Sequence, residues 1–334
     1  MSLDPRSTAA ASVSNGLRTR LWLAARAFAR RYGKLIVVLA ALVGTTFPGN
    51  QLWAHLYPIL FGLPLVLTAL QKGNQRAFRL WAVYILGFLA FRVVRNVAEG
   101  DGSGTHFQYV IALDRPFGLG QTPTNLLQSL WWQPGPGTAL DWYLITIYLT
   151  YFLLPPLVAL LLWAAGSRYL GRYVLASIAL FAMGCFLFVV LPTAPPWLAA
   201  REGYLPPVHR VVNDLFFRLD PALFNYSRAI DRTNPVAAMP SLHMGCAWLI
   251  ALVSMAIRPW LGVVALVYAT SMGLALVYTG EHYLADVLAG VILASLAWWL
   301  TGRVKGLEVE SPALGFPAMA WQWLRTASER RRSQ

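Results

Sequence analysis

The sequence predicts an all-α integral membrane protein, built as a bundle of six to eight transmembrane helices, and three observations support this prediction. Of its 334 residues, 57% are hydrophobic and only 12% are charged, against about 25% charged in an average soluble domain. The apolar residues form long blocks, several of them close to the roughly 20 residues that a helix needs to cross a bilayer. The 14 tryptophans and 14 tyrosines suit the two interfacial belts of a membrane protein.

Eight apolar runs define the candidate membrane spans. They cover residues 35–50, 53–70, 80–97, 142–165, 173–191, 241–257, 260–278 and 284–301. The first run is short, so a shallow hairpin over residues 35–70 would leave six crossings instead of eight. A threonine, apolar residues at helical spacing and paired tryptophans also predict a short interfacial helix near residues 122–132.

The basic residues of the short linkers predict the orientation. If the arginine-rich N-terminus is cytoplasmic, all of them lie on the same side of the membrane. They are Lys72, Arg76, Arg79, Arg168, Arg172, Arg258, Arg303 and Lys305. Both termini are therefore predicted to be cytoplasmic, most simply at the plasma membrane, and the long loops 98–141 and 192–240 to be extracytoplasmic.

The net charge of +13 indicates contact with anionic membrane lipids rather than with nucleic acid, because the basic residues lie beside apolar runs. Both cysteines, Cys185 and Cys246, lie inside apolar runs. They are predicted to be buried small hydrophobic residues, not a disulfide and not a metal site.

Two polar stretches stand at the starts of apolar runs, Met239-Pro240-Ser241-Leu242-His243 and Glu281-His282-Tyr283-Leu284-Ala285-Asp286. Two candidate spans separate them, so the chain crosses the membrane and returns, and both histidines are predicted at one face. Asp286 follows His282 by one helical turn and is the only acidic residue inside the predicted spans. A carboxylate bonded to one ring nitrogen leaves the other as a nucleophile or base. Alternatively, the helix dipole alone stabilises this carboxylate.

Pro240 and Ser241 mark the start of a helix, whose first turn has free main-chain N–H groups. With the Ser241 hydroxyl they form a cradle suited to phosphate, beside which His243 could protonate a leaving oxygen. The alternative is a plain helix cap next to a buried histidine.

These stretches resemble the motifs of the type 2 phosphatidic acid phosphatase superfamily, most of all those of its inositol phosphorylceramide synthase-like (inositolphosphotransferase) branch. The resemblance is carried by residues 236–247, which contain Pro-Ser-Leu-His, and by residues 278–286, which contain His-Tyr-x-x-Asp. It implies a six-helix lipid-phosphatase-like core. It further implies that His282 attacks phosphorus and becomes phosphorylated, that Asp286 orients it, and that His243 exchanges protons with the leaving and accepting oxygens. No metal and no other cofactor are implied.

The sequence departs from the phosphatase pattern of that superfamily at two places. Gln108 stands where a lysine precedes the Arg115-Pro116 pair, and Ala275 and Leu276 replace a Ser-Arg pair before the nucleophilic histidine. The usual phosphate-binding cations are thus missing, which favours the synthase-like branch.

Other groups must then neutralise the phosphate. Arg92 and Arg95, near the outer end of run 80–97, are the candidates beside Ser241, and Arg228 and Arg232 are weaker ones. Arg92 and Arg95 could equally snorkel to the interface.

The resemblance implies an enzyme that acts on a lipid phosphate at the extracytoplasmic face and transfers a phosphorylated head group. The acceptor is the hydroxyl of a lipid or of a polyol or sugar. The alternatives are a plain phosphatase of polyprenyl or glycerolipid phosphates and, outside enzymes, a membrane transporter or scaffold. The expected organisation is a basic N-terminal segment over residues 1–34, cytoplasmic or on the membrane surface, a membrane-embedded catalytic domain over 35–301 and a basic cytoplasmic tail over 302–334.

Overall fold

The structure is a computed structural model that describes residues 22, 33–34, 58–70, 75–97, 106–151, 153–219 and 237–307. In these residues the fold is all-α, which confirms the predicted class. After a π-helical turn over Pro58–Gly62, the helices are α1 (Leu63–Leu70), α2 (Gln75–Val97), α3 (Gln108–Asp114), α4 (Pro123–Trp131), α5 (Ala139–Thr150), α6 (Leu154–Ala164), α7 (Leu170–Val190), α8 (Pro196–Arg201), α9 (Val211–Leu219), α10 (Leu242–Ile257), α11 (Pro259–Tyr278) and α12 (Leu284–Thr301).

Within this part of the chain, three helices are long and apolar enough to cross a membrane, namely α7, α11 and α12. The bent pair α5 and α6 would make a fourth span if it crosses as one unit, and α10 is apolar but shorter. The choice between six and eight crossings stays a prediction, since run 35–50 lies outside the described residues.

The predicted run 142–165 is two helices rather than one. Helix α5 ends at Thr150, and α6 begins at Leu154 and is inclined by 58° to it. Pro155 and Pro156 stand in the first turn of α6, where they lack the N–H groups that would continue α5. At the other end of α5, Asp141 lies in the first turn and forms a capping box with Thr138.

Helix α10 is central and packs against α7, α11 and α12. The contact between α10 and α12 is close because Gly290 has no side chain. A Cβ at Gly290 would lie 2.3 Å from the main-chain oxygen of Ser241, closer than any real contact. This glycine therefore allows the start of α10 to reach the first turns of α12.

Both cysteines are buried, Cys185 in α7 and Cys246 in α10, and neither is in a disulfide. The prediction that both thiols are buried is confirmed.

Three extended segments outside the helices are joined by isolated parallel bridges, His106 with Thr193 and Thr193 with Ala237. The Tyr109 hydroxyl reinforces this junction, since it lies 2.5 Å from Thr193 Oγ1. The junction fixes the chain just ahead of Met239.

The predicted short helix after Thr122 is present as α4, and the Thr122 hydroxyl accepts from the Asn125 N–H at 3.4 Å. Its inner side carries Gln128, whose side-chain N–H groups donate to the main-chain oxygens of His209 and Tyr278, each at 2.8 Å. Helix α4 is thereby fixed to the end of α11.

Candidate active site

The first half of the site is the N-terminus of α10. Ser241 is the N-cap residue, and its hydroxyl oxygen accepts from the Met244 N–H at 3.4 Å. His243 lies in the first turn, where its ring packs on Tyr151 and Tyr148 with centroids 4.0 and 5.2 Å apart. These two aromatic side chains restrict the imidazole to the side that faces α12.

The second half is the turn between α11 and α12. Gly280 adopts φ +79°, and the N–H groups of Glu281 and His282 both donate to the Leu276 oxygen, at 3.2 and 3.1 Å. Helix α12 begins only at Leu284. His282 and Asp286 therefore do not share a helical turn as the spacing predicted, and their contact depends on the extended backbone at Tyr283 instead.

The structure brings the three predicted catalytic side chains together. His282 Nδ1 lies 3.4 Å from Asp286 Oδ2, and His282 Nε2 lies 3.4 Å from His243 Nδ1. His282 is 6% exposed and Asp286 is fully buried. Both distances are long for hydrogen bonds, as is common in active sites without substrate. The two histidines, predicted at one membrane face, are in contact.

Asp286 is oriented by main-chain contacts on both sides. Its Oδ2 also accepts from the Tyr283 N–H at 3.0 Å, and its carbonyl oxygen accepts from the Ser241 N–H at 3.0 Å. The second bond joins the two motifs directly. The arrangement assigns a Nδ1–H on His282 that points to the carboxylate, which leaves Nε2 with a lone pair towards His243.

Two groups near the triad were missed by the sequence analysis. Arg210 and Glu281 form an ion pair at 2.7 Å directly before His282, and the Arg210 guanidinium also lies over the Trp197 ring at 4.3 Å. Asp114, fully buried, accepts from the Ala285 N–H at 2.9 Å. These contacts join residues about 70 and 170 positions apart, and no local pattern predicts them.

Of the predicted substrate-binding residues, Ser241 lies at the site and is fully buried. Arg92 and Arg95 lie in α2, but their side chains are outside the described residues, as are Arg228 and Arg232.

The remaining histidines have structural contacts where they are described. His209 stacks on Trp132 with centroids 3.4 Å apart and pairs with Asp214 at 3.3 Å. The main chain of His106 belongs to the bridged junction. His55 lies outside the described residues.

The positions that replace the Ser-Arg pair face the core. Ala275 and Leu276 are both fully buried among apolar side chains of the main hydrophobic cluster. A cation at either position would lie in an apolar environment, which agrees with the departure seen in the sequence.

The part of the chain that carries the site is similar to known proteins. A family model described as "PAP2 superfamily" matches residues 108–300, which include both motifs. A protein of Bacteroides thetaiotaomicron named phosphoinositol dihydroceramide synthase is 29% identical over 163 residues, 45% of this chain and 52% of that protein. The chain thus spans about half the length of this curated relative. No solved structure matches the chain with significant similarity.

Proposed function

Because the chain belongs to the PAP2 superfamily, we propose that it is a membrane lipid phosphotransferase or phosphatase that acts through a phosphohistidine on His282. The observation that carries this proposal is the line of three groups, in which His282 contacts Asp286 through Nδ1 and His243 through Nε2, both at 3.4 Å. One ring nitrogen is held by a carboxylate, and the other faces a second imidazole that can carry a proton.

In the first half-reaction, His282 Nε2 attacks phosphorus, the N–P bond forms and the bond to the leaving alkoxide oxygen breaks. His243 gives its Nδ1 proton to that oxygen. Asp286 stabilises the positive charge that builds up on the His282 ring. The two imidazoles are in contact at 3.4 Å, so they must move apart when a phosphoryl group binds between them. The packing of its ring against Tyr151 limits the directions in which His243 can turn.

In the second half-reaction, His243 takes the proton of an acceptor hydroxyl, whose oxygen attacks phosphorus as the N–P bond breaks. Transfer of a phosphorylated polyol head group to a lipid is the favoured form. Its support is the name of the Bacteroides relative together with the absence of the usual cations at Gln108, Ala275 and Leu276. With water as acceptor, the same site would be a plain phosphatase.

The phosphate charge needs donors. The N-terminus of α10 with Ser241 provides main-chain N–H groups and a hydroxyl. Arg92 and Arg95 remain the proposed cations, because they lie in the last two turns of α2. That end of α2 directly precedes the loop that we propose to be extracytoplasmic.

The proposed orientation places the site at the extracytoplasmic face of the plasma membrane, with both termini cytoplasmic. Basic residues gather at the opposite ends of the same helices, which supports it. Arg172 at the start of α7 donates to the Trp298 oxygen near the end of α12 at 2.7 Å, and Arg303 follows that helix. His282 precedes α12, whose other end is followed by Arg303, and His243 begins α10, whose other end is followed by Arg258. The catalytic domain would then be residues 35–301, between the basic segments 1–34 and 302–334.

The test is capture of the phosphoenzyme on the purified full chain in detergent. A lipid carrying ³²P in its head-group phosphate is added, and base-stable, acid-labile protein-bound label is measured. His282→Ala should remove the label completely, whereas His209→Ala, a histidine outside the triad, should keep it. Equal labelling of native protein and His282→Ala would exclude the phosphohistidine.

Product analysis in the same incubation separates the two forms of the reaction. A phosphatidylinositol donor with a ceramide acceptor should give a new phosphodiester lipid. Release of free phosphate from polyprenyl phosphate or phosphatidic acid, with no new phosphodiester, would assign the phosphatase instead.

A further inference from the structure

A second buried carboxylate lies against the first turn of α12. Asp114 ends α3 and is fully buried. Its Oδ1 accepts from the main-chain N–H of Ala285 at 2.9 Å, across 171 positions of sequence. Ala285 directly precedes Asp286. The helix that carries Asp286 therefore receives an N-terminal hydrogen-bond acceptor from a distant segment.

Several polar atoms at this contact lack partners. In the described part of the chain, seven buried side-chain nitrogen or oxygen atoms have no hydrogen-bond partner, and three of them are Asp114 Oδ2, Asp286 Oδ1 and the Tyr283 hydroxyl. A buried polar atom without a partner is unfavourable for stability. Three such atoms gathered around one helix start therefore indicate a function rather than a contribution to folding.

The groups around Asp114 are acidic or phenolic. Tyr283, the N-cap residue of α12, and Asp286 in its first turn interact electrostatically with Asp114, as Tyr109 of α3 does with Tyr283 and Asp286, and Arg115 is exposed to solvent. Burial raises the pKa of Asp114 to about 6, the N–H of Ala285 opposes this, and the charge of Asp286 adds to it. Because Ala285 directly precedes Asp286, the two carboxylates lie close together at the start of α12.

We propose that Asp114 is a positioning residue of the site, which fixes the first turn of α12 and thereby holds the Asp286 carboxylate against His282. This inference rests on the proposed phosphohistidine function. As His282 Nε2 bonds to phosphorus, positive charge builds up on its ring, and a carboxylate already held in place stabilises that charge without reorganisation. His282 is otherwise faced by His243, and the Arg210–Glu281 pair precedes it in the chain.

The test compares Asp114→Ala and Asp114→Asn in the purified full chain. Asp114→Asn keeps an oxygen for the Ala285 N–H, whereas Asp114→Ala removes the acceptor. Amide hydrogen exchange in the first turn of α12 should become faster in Asp114→Ala and stay close to native in Asp114→Asn. With lipid substrate, kcat of Asp114→Ala should fall by about 10–100-fold at a similar KM, because the triad is misplaced, and Asp114→Asn should recover most of that loss.

Asp214→Ala is the matched control. It removes a carboxylate that lies 3.3 Å from His209 and outside the triad, so hydrogen exchange in α12 and kcat should both stay at their native values. If Asp114→Ala fails to fold, Asp114→Ser, whose hydroxyl is too short to reach the Ala285 N–H, carries the same expectation.

Native exchange rates and native kcat in a folded Asp114→Ala variant would overturn the proposal. An equal loss of kcat in Asp114→Ala and Asp114→Asn would overturn it as well, because the asparagine oxygen still accepts from the Ala285 N–H. The exchange measurement needs no turnover, so a chain that is inactive on lipid phosphates refutes the proposed function while the role of Asp114 at α12 is still decided.

Discussion

Arg210 and Glu281 form a two-point ion pair, with Nε 2.7 Å from Oε1 and Nη2 3.0 Å from Oε2, directly before His282. The side chains are only 19% and 10% exposed. The pair joins the segment ahead of α9 to the turn that carries His282, and the ring of Trp197 covers the guanidinium at 4.3 Å.

Removal of one partner should destabilise the protein because the other charge stays partly buried. We expect Arg210→Gln to lower the free energy of unfolding by about 1.5–3 kcal/mol, the usual range for a charged hydrogen bond. Thermal unfolding in detergent measures this. The double variant Arg210→Gln/Glu281→Gln should recover part of the loss, since no charge is then left without a partner.

Arg201→Gln is the matched control for this prediction. Arg201 pairs with Glu202 at 3.1 Å, but both side chains are largely exposed. A pair of this kind contributes little, so the control should unfold like the native protein. Equal effects of both substitutions would show that the Arg210–Glu281 pair is not stabilising.

Asp286→Asn should reduce kcat strongly and leave the fold intact. The amide oxygen can still accept from the Tyr283 N–H, but the charge that orients and stabilises the His282 ring is lost. In hydrolases with a carboxylate behind the histidine, the same change costs about 10⁴-fold in kcat, and we expect a loss of about 10³–10⁴-fold. Steady-state kinetics with the lipid substrate measures it, and KM should change little.

The control for that variant is Asp214→Asn, which also removes a carboxylate beside a histidine but lies on α9. Its kcat should equal that of the native protein. A kcat within tenfold of native for Asp286→Asn would remove Asp286 from the mechanism.

Gly290→Ala should impair both stability and activity. The new Cβ would lie 2.3 Å from the Ser241 oxygen, so α12 must move away from α10 and the two motifs must separate. Overpacking of this kind costs about 1–3 kcal/mol. Gly273→Ala is the control, because its Cβ meets only side-chain atoms, Val287 Cγ1 at 3.3 Å and Met244 Sδ at 3.7 Å, which can adjust. If Gly290→Ala retains native kcat and native unfolding temperature, the close approach is not needed.

The class of fold and the three central side chains of the site could be predicted from the sequence, because both depend on local patterns. Apolar runs predicted α7, α10, α11 and α12 to within a few residues, and the starts of two of these runs carried His243 and His282. The return of the chain after two helices follows from their length alone. The contact of the two imidazoles is a consequence of this geometry.

The residues that surround the triad could not be predicted in this way. Asp114 meets Ala285 and Arg210 meets Glu281 only because separate segments outside the helices pack together. No spacing rule joins positions so far apart. Even the contact of His282 with Asp286 has a different origin from the predicted helical turn, since helix α12 starts between them.

Asp114 should also make stability depend on pH, in a direction opposite to that of most carboxylates. Its pKa in the folded protein is raised to about 6, first by burial, whereas the unfolded value is about 3.9. Between these values the folded state binds more protons than the unfolded state, so this group lowers the free energy of unfolding as pH rises. Its contribution is most favourable below about pH 4 and is lost by about pH 6.

Asp114→Asn lacks this titration, which makes it the reference for the measurement. Unfolding temperatures of the native protein and the variant are compared in detergent from pH 4 to 7. The unfolding temperature of the native protein minus that of Asp114→Asn should decrease as pH rises to 6 and stay constant above it. The other carboxylates are the same in both proteins, so their effects largely cancel in this difference. A difference that increases with pH would mean that the folded protein favours the charged carboxylate of Asp114, and that its contact with Ala285 outweighs burial and the charge of Asp286.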